Sequence, residues 1–232
     1  MIKNYSDFVE ALLTAGFSMG GGNDEGVFGL ITHNWNEETT PDNPIRWHTG
    51  DPDTDPWEWR MRVLDERDDI AYAKMFFKKS GYITREWYPY FLATRRRNGV
   101  TFEQDYQDGN ISQFAKRIYQ AVSENGALPL DEIKRQTGFS RDDKSKFDSA
   151  LVELQMKLYL TMCGKAQKIS ADGTAYGWEA TVFCTTESFW NDDVFAQAAE
   201  ISREDAIDKI TAQVLRLNPN AEDKKVAKLF RV

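Results

Sequence analysis

The stretch FAKRIYQAVSENGALPLDEIKRQTGFSRDDKSKFDSALVELQMKLYLTMC, residues 114–163, packs three helical repeats and the start of a strand into a chain with almost no spare linker. Phe114, Ile118, Ala121 and Val122 recur at helical spacing, and Asn125-Gly126 stops the repeat, because glycine takes a left-handed cap without a side-chain clash. Pro129 opens a short second helix reaching Thr137, with Leu130 and Ile133 inward and Gly138-Phe139 as stop and apolar latch. A third begins after Ser140, with Asp143 three residues on as a capping-box variant; its core face is Phe147, Ala150, Leu151, Leu154 and Leu158. Helices joined by loops this short must pack on one another.

Leu158–Cys163 and Trp178–Phe183 then alternate as half-buried strands do, and Asp172-Gly173 between them is a tight-turn pair. Three helices followed by a hairpin is the order of a winged helix-turn-helix. The expected fold is therefore α+β, with a winged-helix domain over 110–190, an N-terminal α/β part over 1–109 that has the making of a degenerate second winged helix, and C-terminal helices over 191–232. In that tail Ser202 caps a helix carrying Ile207, Ile210, Val214 and Leu217, Asn218-Pro219 breaks it, and Val226, Leu229 and Phe230 mark a last short helix.

In the N-terminal part Ser6 is a capping residue before Phe8, Leu12 and Ala15, and Gly16 ends that helix. Gly20-Gly21-Gly22 has no strand before it and no Gly-Lys-Ser/Thr after it, so it reads as a loop and not a phosphate cradle. Gly26–Ile31 reads as a strand, residues 34–56 as a long surface loop, Pro56 as the first turn of a helix, Ile70–Phe77 as a strand, and Arg85–Arg97 as a helix capped by Thr84. His33, His48 and scattered aspartates lack the spacing of a metal site, so no metal or cofactor is expected.

A net charge of −8 counts against a protein that coats nucleic acid indiscriminately. The charge is uneven, however: residues 20–58 hold nine acidic and one basic residue, whereas 59–97 hold ten basic and five acidic. Apolar runs span only a few residues, and the N-terminus lacks the basic-then-apolar order of an export signal, so no membrane partner and a cytoplasmic location are expected. Cys163 and Cys184 flank the hairpin turn and read as thiols in a reducing compartment.

A helix-turn-helix reader presents the outward face of its third helix to base edges. Here that face is Ser145, Ser149, Val152 and Met156, small and apolar, with Lys144, Lys146 and Lys157 on its flanks. Two readings stand. Either Arg141, Lys144, Ser145 and Lys146 touch DNA while Lys165 and Lys168 of the wing touch phosphate, or the domain is a scaffold or protein-interaction module. Arg95, Arg96 and Arg97 are candidate phosphate contacts, although arginines at a helix end also complement its dipole.

Asp55–Arg60 (DPWEWR), Ala71–Phe77 (AYAKMFF), Ile83–Ala93 (ITREWYPYFLA) and Ser149–Met156 (SALVELQM) resemble the AlkZ-related bacterial proteins, small relatives of the AlkZ-like winged-helix family, and the resemblance covers most of the chain. In the larger family it implies tandem winged helices in a concave basic shell that binds DNA and, in characterised members, excises alkylated or crosslinked bases as a DNA glycosylase. Those enzymes position the attacking water with a glutamine motif near the N-terminus. The corresponding stretch, Gly26–Asn34, has no glutamine, and Gln155 lies in the third helix, so no catalytic residue carries over. The resemblance implies a DNA-binding or DNA-repair-associated relative without that motif. An active glycosylase with a substituted site, using His33-Asn34 to hold water, is a further alternative.

Overall fold

Helix ends in the computed structural model, which describes residues 1–36, 42–169, 173–190 and 192–231, follow local capping chemistry closely. Helix α1 (Tyr5–Ala15) begins at Asn4, whose side chain accepts the Asp7 amide, and ends at Gly16. After β1 (Phe17–Met19), helix α2 (Pro56–Glu66) starts at Asp55 with proline in its first turn. Strands β2 (Ile70–Phe76) and β3 (Lys79–Thr84) turn through Phe77-Lys78, both at positive φ. Helices α3 (Tyr88–Arg95), α4 (Phe102–Gln107) and α5 (Gln113–Asn125) follow, then β4 (Ala127–Pro129), α6 (Leu130–Thr137) and α7 (Lys144–Met156). A second hairpin, β5 (Leu160–Ile169) and β6 (Ala175–Thr185), leads to α8 (Thr186–Phe189), α9 (Asp192–Ala199), α10 (Arg203–Leu217) and α11 (Asp223–Lys228).

All six strands join one antiparallel sheet in the order β1-β3-β2-β5-β6-β4. That order is mirror-symmetric. In each half the short strand after the first helix lies outermost, the second arm of the hairpin lies next to it, and the first arms, β2 and β5, meet at the centre through the Tyr72–Met162 pair. Alternation along β2 splits the core between two faces. Ile70 and Tyr72 face α1, α2, α5, α6 and α7, packing with Phe8, Trp59, Ile118, Ile133 and Leu154; Ala71, Ala73 and Met75 face α3 and the C-terminal helices, packing with Phe91, Val194, Ile210 and Val226.

Several sequence expectations need correction. Gly26–Ile31 is no strand; only Gly29 makes an isolated bridge, to Met19. The Asn23 and Asp24 side chains fold this segment into turns by accepting the Glu25 and Gly26 amides. Its outward groups bond the C-terminal helices instead: Gly26 and Val27 carbonyls accept from the Glu222 amide and the Asn218 side chain. The helix expected at Arg85 starts at Tyr88, because Arg85 and Trp87 amides are spent on the Asp69 and Thr84 carbonyls. Asn4, not Ser6, caps α1. The Ser140–Asp143 device is present as a bond between hydroxyl and carboxylate that spans a 3-10 turn ahead of α7. Asp172 of the expected Asp172-Gly173 turn lies outside the described residues.

Candidate functional site

The outward face of α7 lines an open groove of about 900 Å³. Ser145 and Ser149 are exposed on it, while Val152 and Met156 are half-buried, the Met156 sulfur accepting the Lys78 amide at 3.3 Å. The C-terminal turn of α7 therefore leans on the β2–β3 hairpin, and its first two turns stay open. Exposed Lys78 and Arg231 line it from other parts of the chain, and Lys144 and Lys157 line it from α7 and its cap, together with Asp142, Asp148 and Glu153. Gln155, on the opposite side, is buried and accepts the Lys74 amide at 2.9 Å while donating to the Leu151 carbonyl at 3.0 Å, a packing role that ties α7 to β2.

The lysines flanking that face are held in local pairs. Lys144 meets Asp148 and Lys146 meets Asp143, each at 2.9 Å; Lys146 and Ser140 together pull the Asp143 carboxyl down to about 2. Such exposed pairs are weak and exchange readily, so both ammonium groups can reach another anion. Lys165 of the wing pairs with Glu179 at 2.9 Å, and Lys168 is half-buried opposite Tyr176. The side chain of Arg141 lies outside the described residues.

The arginine run at the end of α3 lines a second open groove, of about 890 Å³, shared with α9 and the start of α10, but its three side chains are held differently. Arg95 is 9% exposed, donating to the Met156 carbonyl at 3.0 Å and towards the Leu229 carbonyl, so it closes the C-terminal ends of α7 and α11 from inside. Burial pushes its pKa down, yet a guanidinium remains charged near neutrality, and the carbonyl ends of two helices are what solvate it. Arg96 stacks on Tyr159 and binds Glu187, Thr186 and the Leu158 carbonyl. Arg97 alone is exposed, and it is bound to Asp105 and Asp108. The terminal nitrogens of Arg95 and Arg96 donate to carbonyls and side chains of the same chain, while the buried Arg95 Nε has no partner among the described residues.

On the other side of the β2–β3 turn lies a cleft of about 340 Å³ that no sequence motif announces. Its walls include Gly20-Gly21-Gly22, Trp35, Trp47, Trp57, Arg60, Tyr72 and Lys79. The Arg60 guanidinium lies 3.4 Å above the Trp57 ring, and His48 packs against the same ring at 4.9 Å. Buried Tyr72 keeps its proton firmly, burial raising its pKa although Ser80 and Arg60 act against it. Asp55 assembles this corner. Fully buried, its carboxylate accepts the amides of His48, Thr49, Gly50 and Trp57 at 2.8 to 3.1 Å, fastening the loop to the start of α2. The signal in the sequence was three tryptophans within 23 residues of polar chain.

Cys163 and Cys184 are free thiols on paired strands, Cys184 buried and Cys163 partly exposed. Among the described residues no three histidine, cysteine or carboxylate side chains gather as a metal site, and no helix is long and apolar enough to cross a membrane.

Compared with known proteins, residues 2–231 match the family model described as AlkZ related. No curated protein and no solved structure matches the chain.

Proposed function

The chain belongs to the AlkZ-related family, and from that premise we propose that it is a DNA-binding, repair-associated protein built from two winged helices that share one sheet. In this reading α5, α6, α7 and the β5–β6 hairpin form one winged helix, and α1, α2 and the β2–β3 hairpin form the other, its second helix replaced by the loop after β1. The mirror-symmetric strand order supports the pairing. In this reading duplex DNA lies along the open turns of α7, against the lining cations Lys78, Lys144, Lys157 and Arg231, with Lys146 beside the first turn.

The observation that carries the proposal is that the outward face of α7 remains open at Ser145 and Ser149, opposite cations contributed by the other half of the chain. A face with small side chains and flanking lysines suits backbone contact more than base reading, since base edges call for arginine, asparagine or glutamine. We further read the protein as a binder and not a glycosylase. No glutamine precedes Gln104 in the sequence, so the family's water-positioning motif has no counterpart, and Gln155 is occupied by packing.

The test is fluorescence anisotropy on a labelled duplex across a salt series, paired with an assay for free base released from alkylated DNA. Salt-sensitive affinity without base release is expected. Binding that is absent near physiological ionic strength overturns the proposal, and base release that disappears in His33→Ala overturns the non-enzymatic part of it.

A scaffold role is the second reading, favoured by one observation. Each third helix packs across the centre of the sheet onto the other half, α2 against β5 and α7 against β2. Failure to bind any DNA would leave that reading standing.

A further inference from the structure

We propose that the tryptophan cleft beside the β2–β3 turn is a binding site for a single unpaired nucleobase with its phosphate; this rests on the nucleic-acid reading above and adds a second, separate contact to it. Exposed apolar side chains gathered into one patch, unlike those scattered singly, mark interaction sites. Two such side chains converge here, Trp35 at 61% exposure and Trp57 at 43%, while Trp47 closes the floor. One face of Trp57 is taken by the Arg60 guanidinium, which fixes the ring in place and puts a cation at the rim. Lys79, also lining the cleft, is paired with Glu25. Rings that stack, with cations beside them, are what a base and its phosphate need, and stacking tolerates any base because each has a π face.

The backbone is shaped around the opening. A side chain at Gly21 would meet the Trp47 ring at 2.6 Å and one at Gly20 the Ser80 carbonyl at 2.7 Å, so glycine lets the chain approach closely, while Gly22 faces open space. Asn34 also lines the cleft, its side-chain oxygen buried and without a hydrogen-bond partner among the described residues. Glu25 and His48, at the rim, both hold positive φ, conformations that side chains avoid unless the surroundings impose them.

Location joins the two contacts. Lys78 stands on the α7 groove and Lys79 on the cleft, so consecutive residues of one turn divide them. A duplex in the groove can deliver a base that has left its helix across this turn, and no bond need be made or broken for that.

The experiment compares a paired duplex with the same duplex carrying one bulged 2-aminopurine, together with a short single strand. Wild type, Trp57→Ala and Trp35→Ala are measured by anisotropy and by 2-aminopurine fluorescence. We expect the bulged duplex to bind about 5- to 100-fold more tightly than the paired one, with its fluorescence quenched on binding, and each alanine variant to lose the preference and the quenching while keeping paired-duplex affinity. A paired duplex that binds with no preference for the bulge overturns the cleft proposal and leaves the groove reading intact. A single strand that binds and loses affinity in Trp57→Ala, with no duplex binding at all, overturns the groove reading and supports the cleft. Preference that survives both alanine variants overturns the proposal, since the rings would then contribute nothing.

Discussion

Asp55→Ala removes a carboxylate that accepts four backbone amides while fully buried. The Trp57 amide is the helix-cap bond, worth about 0.5–2 kcal/mol. The His48, Thr49 and Gly50 amides lose this acceptor at a surface where water reaches them in part, costing about 0.5–1 kcal/mol each. Together the substitution destabilises by about 2–5 kcal/mol, and at about 2–4 °C per kcal/mol for a chain of this size the melting temperature falls by about 4–20 °C. Urea unfolding followed by tryptophan fluorescence reads it as a lower midpoint at unchanged slope. His48 is held against Trp57 by this nest, so the near-ultraviolet circular dichroism of the folded protein should also change. Asp55→Asn keeps one acceptor oxygen and is expected to fall between wild type and alanine. A shift under about 2 °C for the alanine variant would refute the reasoning, because the loop would then be held by something other than this carboxylate.

Arg95→Met should cost about 2 kcal/mol by leaving the Met156 and Leu229 carbonyls without their donor, with duplex affinity unchanged; a large loss of affinity in a protein that still folds would return Arg95 to the DNA surface. Asp105 gives a pH signature. Burial alone would raise its pKa, but bonds from Tyr159, Arg97 and Asn110 outweigh that and hold it below the usual value. A carboxyl depressed in the folded state stabilises above its unfolded pKa of about 3.9 and loses that contribution as pH falls through the folded value. Asp105→Asn should therefore flatten the acid side of the stability profile, and an unchanged profile would show that the network contributes nothing. Gly81→Ala should destabilise strongly, since the added carbon would lie 2.3 Å from the Phe76 ring and 2.7 Å from the Ser18 carbonyl; a melting temperature equal to wild type would contradict that packing.

The segment from α5 to β6 was legible because its signals are local: Gly126 and Gly138 as helix stops, alternation along the hairpin, and Pro129 at the start of α6, although Pro129 is the cap residue there and not part of the first turn. Strand β3 was not, because Lys79-Ser80-Gly81 has none of the branched or aromatic residues that mark strands and owes its place to pairing with β1 and β2. The meeting of β2 with β5 is a contact between residues about ninety apart, which periodicity does not encode. The run Arg95-Arg96-Arg97 showed its charge but not its directions, since three successive side chains at a helix end point three ways; one goes inward, one stacks on Tyr159 and one pairs with Asp105. The cleft escaped because Trp35 and Trp47 sit in chain that composition marks as loop while Trp57 opens a helix, and only folding brings them together.

The central claim is that DNA lies in the groove between α7 and the β2–β3 turn. The most direct measurement is the salt dependence of duplex affinity for wild type, for the Lys78→Glu/Arg231→Glu double variant, and for Arg97→Glu as a comparison outside the groove. The groove predicts a shallower salt slope and an affinity loss of about tenfold or more in the double variant, because two phosphate contacts and their released counterions are removed, with Arg97→Glu near wild type. Equal affinities and equal slopes for all three proteins would contradict it.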